Sequence, residues 1–281
     1  MGGLGNQMFQ YACGKAVAYR LGAQFSLDLS WFDNGNRIFM LDDFPNIHQS
    51  LKINERNSSC QPSVFKKILR RMGINTISYI NEPDFSYWPG ITNIKSSAHL
   101  SGYWQNEKYF SEISSVILKE FTFPEFSCLE AENIAQKIKS SSCSVSIHIR
   151  RGDYVEDAKN NQVHGICTLE YYKKALQLIA DKYNNDLQLY FFSDDPDWIK
   201  DNFDTQGYSS VIVNIPQHKN APYHDMHLMS LCCHHIIANS SFSWWGAWLS
   251  GGHGTVIAPK RWFAEETMKQ YNPSPASWVT I

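Results

Sequence analysis

The stretch Ser144-Val145-Ser146-Ile147-His148-Ile149-Arg150-Arg151-Gly152-Asp153 decides how this chain is read. Val145, Ile147 and Ile149 alternate with Ser146 and His148, which is the period of a β-strand. Successive strand side chains point to opposite faces. The valine and isoleucines therefore fill one face, while Ser146, His148 and Arg150 share the other. The strand ends by Gly152, so His148 and Arg150 sit near its carboxyl end. In open α/β sheets, ligands bind outside the carboxyl ends of the strands. Two adjacent arginines there are costly to desolvate unless an anion shares the crevice. A phosphate or pyrophosphate suits them, because guanidinium forks match its oxygens two at a time.

Downstream of this strand the rhythm is regular. A helix is expected from Thr168 to Tyr183, a strand from Leu187 to Phe192 and a helix from Pro196 to Asn202. A strand over 210–215, a helix from Pro222 to Cys233 and a strand from His235 to Ala238 follow. A helix from Phe242 to Leu249 and a last strand at Thr255–Ala258 close the series. That alternation predicts a parallel sheet with helices on both faces. Upstream, Gly2 to Gln7 form a glycine-rich turn, and Met8, Tyr11, Ala12, Ala16 and Tyr19 carry a helical period. A short strand is expected from Gln24 to Leu29. Residues 30–98 are poorly periodic and are broken by prolines at 45, 62, 83 and 89. Lys108 to Glu120 and Leu129 to Lys139 read as helices. The polar stretch Lys139-Ser140-Ser141-Ser142 is the candidate linker. It divides the chain into domains 1–139 and 140–281, both α/β, with a cleft between them.

Composition excludes several classes. The net charge is −2 over 281 residues, which is no nucleic-acid footprint. No run of 18 apolar residues occurs, the length a membrane span needs. The opening residues lack a basic segment followed by an apolar core. Seven cysteines are scattered, Cys232 and Cys233 are adjacent, and no C-x-x-C occurs. This pattern points to reduced thiols in a cytoplasmic protein, with neither a disulfide framework nor a zinc site. In such a compartment the sequons Asn57-Ser58-Ser59 and Asn239-Ser240-Ser241 would carry nothing. Nine tryptophans could serve sugar binding, but core packing accounts for them equally well.

Three further sites stand out. Gly3-Leu4-Gly5-Asn6-Gln7 is not the dinucleotide fingerprint, because Met8 stands where the third glycine belongs, although Asp28 is available as the acidic residue. Its two glycines allow either an anion at the following helix start or a plain turn, and the two readings stand level. Asn239-Ser240-Ser241-Phe242-Ser243-Trp244-Trp245 joins a strand to a helix. Any of its first three residues can cap that helix, and the same helix start can receive a phosphate or ribose. Trp244 and Trp248 share a helix face and read as core. In Phe192-Ser193-Asp194-Asp195-Pro196, Asp195 reads as the cap of the next helix. Asp194 stays open between capping and accepting from a base or ribose. His224, His227, His234 and His235 complete no metal-ligand pattern and read as structural. No G-x-S-x-G hydrolase elbow occurs.

Four segments together resemble the α1,2-fucosyltransferase family, particularly its bacterial members. They are Gly2-Gly3-Leu4-Gly5-Asn6-Gln7-Met8-Phe9-Gln10-Tyr11-Ala12, Gly102-Tyr103-Trp104-Gln105, His148-Ile149-Arg150-Arg151-Gly152-Asp153-Tyr154 and Ala238-Asn239-Ser240-Ser241-Phe242-Ser243-Trp244-Trp245-Gly246-Ala247. The resemblance spans nearly the whole chain with the motifs in order. It implies two Rossmann-like domains facing a central cleft (the GT-B type), GDP-fucose as donor, a galactose-terminated acceptor, inversion at the anomeric carbon and no metal or other cofactor. It implies that Arg150 contacts the donor phosphates and that His148 lies near the nucleotide. Gly3, Gly5, Asn6 and Gln7 belong to the loop facing the donor, and Arg151, Asp194, Ser240, Ser241 and Phe242 complete the donor set. Asp153 either orients an arginine or moves a proton, and orientation is the preferred role. Family members usually carry a short apolar strand before the glycine loop, so either an upstream extension of the reading frame is expected or another segment fills that place. A lipid-linked acceptor would be met through weak contacts at the membrane surface.

Competing readings are a transferase of different linkage or acceptor, a carbohydrate-binding module without turnover, and a nicotinamide-dependent oxidoreductase. The module leaves the arginine pair without a partner, and the oxidoreductase needs the missing glycine.

Overall fold

The computed structural model describes residues 1–33, 37–48, 77–152, 162–183, 186–215 and 221–281. Asp153 and the sequon at Asn57 lie outside the described residues. The chain separates into two compact units, Met1–Pro124 and Glu125–Ile281.

The first unit is organised by helix α1, Leu4–Leu21. It is buried on most sides, with Met8, Phe9 and Ala12 fully enclosed. Its end is a left-handed turn at Gly22, φ +57°, whose N–H reaches back to the carbonyls of Ala18 and Tyr19. That stop requires glycine's freedom at positive φ. An aromatic cluster packs beside the helix: Tyr11 on Phe121 with ring centroids 5.6 Å apart, and Phe44 on Phe121 at 5.2 Å. Glu120, at the end of α2 (Ser114–Glu120), accepts from the Tyr11 hydroxyl and pairs with Lys15 at 2.5 Å. Strands β1 (Ser78–Asn81) and β2 (Ala98–Ser101) form a two-stranded parallel sheet. A doubly wound sheet is not seen among this unit's described residues. The segment expected as a strand, Gln24 to Leu29, joins no ladder among them. The helix expected over Lys108 to Glu120 starts instead as two 3-10 turns and becomes α-helical only at Ser114.

The second unit is the doubly wound sheet the alternation predicts. Its strands are β3 (Ser144–Ile149), β4 (Gln188–Ser193), β5 (Ser209–Ile212), β6 (His234–Ile236), β7 (Val256–Ala258) and β8 (Val279–Thr280). All pair in parallel, in the order β5-β4-β3-β6-β7-β8. Counted within the unit this is 3-2-1-4-5-6, the order in which strand progression reverses beside the first strand. Every residue of β3 is buried. Val145, Ile147 and Ile149 join Leu189 and Phe191 in packing onto α4 (Leu169–Tyr183) through Tyr172, Leu176 and Ile179. On the opposite face Tyr190 and Phe192 meet α3 (Leu129–Ser140) and α6 (Ala221–Leu231). Each fully buried side chain of this size contributes about 1.5–3 kcal/mol. Because α3 buries Ala131, Ala135 and Ile138 in this second core, the unit begins at Glu125, ahead of the linker expected at Lys139 to Ser142.

Helices α6 and α7 (Ser241–Trp248) approach closely at Gly246, where an added Cβ would lie 2.9 Å from the Met229 Cβ. Alanine is the better helix former by about 1 kcal/mol, yet overpacking costs about 1–3 kcal/mol. Gly246→Ala is therefore expected to lower the urea midpoint at unchanged slope. A raised midpoint would show that the two helices can separate without cost.

Candidate active site

The strand order reverses between β3 and β6, so the segments leaving their carboxyl ends diverge and leave a crevice. Segment 150–152 leaves β3, Asp194 and Asp195 leave β4, and Asn239 to Phe242 leave β6.

His148 is the last inward polar side chain of β3 and is 6% exposed. Its ring lies 5.8 Å from that of Phe242, and its Nδ1 is enclosed without a hydrogen-bond partner. Burial, and then the Arg150 charge, push its pKa down to about 3. The imidazole is thus neutral at working pH and offers hydrogen bonding, not charge. One rung lower, Ser146 Oγ and His235 Nδ1 share a hydrogen bond of 2.8 Å. His235 is fully buried, its Nε2 has no hydrogen-bond partner among the described residues, and burial pushes its pKa down to about 3 as well.

The arginines are held by carboxylates. Arg150 Nη1 lies 2.9 Å from Asp194 Oδ2, and Arg151 Nε lies 3.2 Å from Asp195 Oδ2. The Arg151 guanidinium also stacks 4.0 Å above the Trp198 ring. Asp195 caps α5 (Pro196–Asn202), accepting from the Trp198 N–H at 3.1 Å, as read from the sequence.

After β6 the roles separate. Asn239 is buried, and its amide nitrogen donates to the carbonyls of His164, Gly165 and Trp262 at 2.9, 3.3 and 3.1 Å. It is a brace joining three loops. Ser240 is the N-cap of α7, its Oγ accepting from the Phe242 N–H at 3.3 Å. The start of α7, where the Ser241 amide stands beside the capped Phe242 N–H, lies at the carboxyl edge, the end of a helix that favours an anion. Trp244 is fully buried and stacks with Trp248 at 6.2 Å, as core.

The structure therefore brings together His148, Arg150, Arg151, Asp194, Ser240, Ser241 and Phe242. Asp153 lies outside the described residues. Gly3, Gly5, Asn6 and Gln7 belong to the first unit, and only Gly3 precedes the helix. Gly5, Asn6 and Gln7 are already in the first turn of α1, which corrects their reading as a loop. Gln7 is 3% exposed; its amide donates to the carbonyls of Gly2 and Ile38 and accepts from Met40. That amide braces the unit's interior. Asn6 Oδ1 accepts from Gln105 at 2.7 Å, which joins the first motif to the second.

Two groups escaped the reading of the sequence. Glu82 accepts from the N–H groups of Tyr103 and Trp104 at 2.7 and 2.9 Å, and burial raises its pKa. It stabilises a turn in which Trp104 takes φ +55°, an uncommon conformation for a bulky residue. Asp225 is the lone carboxylate of α6. That helix runs back against the strands, so its first turns lie toward the carboxyl edge. Asp225 Oδ1 is enclosed without a partner, and burial pushes the pKa up to about 7. The available signal was a solitary carboxylate on a helix whose other polar residues, His224, His227 and Ser230, carry no acid. Among the described residues no three His, Cys, Asp or Glu side chains group as metal ligands, and no helix is long and apolar enough to cross a membrane.

Residues 2–281 match the model of the family described as Glycosyl transferase family 11. The chain belongs to glycosyl transferase family 11. This glycosyltransferase is 36% identical over 284 residues to an alpha-1,2-colitosyltransferase of Escherichia coli, covering 100% of this chain and 96% of the relative. It is 29% identical to the O-antigen biosynthesis glycosyltransferase WbnK of Escherichia coli, over 100% of this chain and 98% of that one. A galactoside alpha-(1,2)-fucosyltransferase 1 of Homo sapiens is 24% identical over 191 residues, 65% of this chain and 52% of its own.

Two predictions concern this glycosyltransferase's site. Ser240→Ala should cost about 1 kcal/mol of stability, the value of a helix cap, read from the denaturant midpoint. A loss far larger would assign Ser240 more than capping. His148 and His235 stay neutral to about pH 3 when folded, whereas unfolded imidazoles protonate near 6.5. Unfolding thus takes up protons between these limits, so their contribution makes stability fall as pH drops below about 6.5. His235→Gln should flatten that slope by about 1.4 kcal/mol per pH unit. An unchanged slope would mean His235 is protonated in the folded protein.

Proposed function

We propose that this glycosyltransferase moves L-fucose from GDP-β-L-fucose to the 2-hydroxyl of a terminal β-galactose, with inversion and without a metal. The observation that carries the reading is the convergence of Arg150, the buried neutral His148 and the opening amides of α7 on one crevice at the sheet's switch point. It is a site for a pyrophosphate. The family, and the α1,2 linkage in the names of two relatives, support the transfer and its position.

In this reading the sugar departs through an oxocarbenium-like state as charge builds on GDP. Arg150 and the start of α7 stabilise that charge from fixed positions. Asp225 is proposed to read the base. Guanine presents two adjacent donors, N1–H and the 2-amino group, and a carboxylate accepts both.

A second reading changes the donor alone. The 36% identical relative is named a colitosyltransferase, and colitose is L-fucose without its 3-hydroxyl. Donor choice then rests on whether that hydroxyl finds a partner.

The test is GDP release on mixing the enzyme with GDP-fucose and lactose in EDTA, with GDP-mannose and GDP-colitose as alternative donors. Acceptor-dependent release from GDP-fucose is expected. Preferential use of GDP-colitose would establish the second reading, and dependence on added metal would overturn metal independence. Arg150→Ala should lower turnover about 10²–10³-fold with the fold intact. Retained turnover would place the phosphates elsewhere.

Asp225 adds a pH signature. GDP binding to the carboxylate requires ionisation, so affinity should weaken as pH falls below about 7. Asp225→Asn should remove that component and the preference for GDP over inosine diphosphate, which lacks the 2-amino group. Equal affinities for the two nucleotides in the unsubstituted enzyme would exclude Asp225 from base recognition.

A further inference from the structure

The two arginines after β3 face two aspartates after β4, and the pairing follows from sheet register. Ile149 stands opposite Ser193 in the parallel ladder. Continuing one and two residues brings Arg150 beside Asp194 and Arg151 beside Asp195. The side chains obey that order, with contacts of 2.9 and 3.2 Å respectively. Each carboxylate makes a second contact that fixes it. Asp194 Oδ1 accepts from the Arg151 backbone N–H at 2.8 Å, while its Oδ2 holds the Arg150 guanidinium. Asp195 Oδ1 caps α5, while its Oδ2 takes Arg151, whose guanidinium lies on Trp198.

The adjacent arginines are therefore unlike. Arg151 is bound into the start of α5 by an ion pair, a ring face and its own backbone. Arg150 is paired with a carboxylate that is itself anchored to the loop. Space around that carboxylate is tight: a Cβ on Gly152 would lie 2.7 Å from Asp194 Oδ2.

We infer that Asp194 is a positioning residue, which aims the Arg150 guanidinium at the leaving phosphate and does not itself bind the donor's base or ribose. The inference rests on the pyrophosphate reading of the crevice. Both Asp194 oxygens already serve protein donors, one of them a backbone group that a departing ligand could not replace. A carboxylate beside a pyrophosphate repels it, so its presence there needs a reason, and orientation of a fork-shaped cation supplies one.

The test separates binding from turnover. Asp194→Asn keeps the shape and the acceptor for the Arg151 N–H but removes the charge that aims Arg150. Turnover is expected to fall about 10–100-fold, while the Kd for GDP, by calorimetry, stays within threefold or tightens because a negative charge has left. In an Arg150→Lys background, where no fork remains to be aimed, Asp194→Asn should cost less than threefold further, a non-additive cycle. Gly152→Ala keeps every charge but presses on Asp194 Oδ2, and should reproduce the signature of lowered turnover with retained GDP affinity. A tenfold weaker Kd for GDP in Asp194→Asn, with losses additive to Arg150→Lys, would make Asp194 a direct donor ligand and overturn the inference. Unchanged turnover in both Asp194→Asn and Gly152→Ala would overturn it too. Failure of the pyrophosphate reading itself would show differently, as full turnover in Arg150→Ala.

Discussion

A guanidinium at the end of a strand buried on both faces must be given anions, or the fold loses the energy of desolvating it. Much of the second unit follows from this requirement. Strand β3 carries no exposed residue, and Arg150 and Arg151 follow it directly. The neighbouring strand β4 ends in Asp194 and Asp195, in the register that pairs them one to one. The helix after β4 opens on Pro196, and Asp195 caps it while also reaching Arg151. On the other side of β3, a helix start stands beside His148 instead of a further carboxylate. The charge is thus balanced on one flank, and the other flank offers amide dipoles.

The core of this arrangement was legible because burial leaves plain periodic marks. Val145, Ile147 and Ile149 alternate, and they pack where alternation put them. Caps were legible for a similar reason: Asp195 before proline and Ser240 before an apolar run have few other uses, and both accept from helix amides. Strand β8 has only two residues, too few for a period, and was missed. The Lys139 to Ser142 stretch looked like a linker because it is polar. The helix before it belongs to the second unit through Ala131, Ala135 and Ile138, small or apolar residues that do not announce which core they enter. Gly5 and Gln7 were misread for a different reason. Glycine is a poor helix former in isolation, but helix α1 is stabilised by burial of its neighbours, and packing overrides propensity.

The first unit shows a different device serving a different motif. Gly102, Tyr103, Trp104 and Gln105 form a turn that places buried Trp104 at positive φ. Such backbone costs about 1–3 kcal/mol and persists only when its surroundings over-determine it. Here the Glu82 carboxylate takes two successive N–H groups, and Tyr109 lies edge-on to the Trp104 ring at 5.4 Å. The turn delivers Gln105 to Asn6. Two motifs ninety-odd positions apart in the chain are thereby one polar cluster, a relation no local pattern could have displayed. Glu82 was unreadable because its partners are backbone groups, which leave no trace in side-chain identity.

Charge pairing beside β3 bears on how a donor would be handled. Among the described residues that leave β3 and β4, two arginines and two aspartates cancel, and His148, its pKa pushed down to about 3, adds no charge at working pH. A site already balanced does not destabilise the folded chain while empty, which an unpaired arginine pair would do. It also holds a ground-state anion less tightly than two free arginines would. On the proposed reading, charge that develops later on the departing phosphate meets a guanidinium and helix amides that are already aimed and need little reorganisation. A catalyst gains from interactions that strengthen in the transition state, and gains nothing in turnover from those that bind the substrate equally well. On the same reading the aspartates, by lowering the affinity of the resting site, are part of what lets Arg150 act on the transition state.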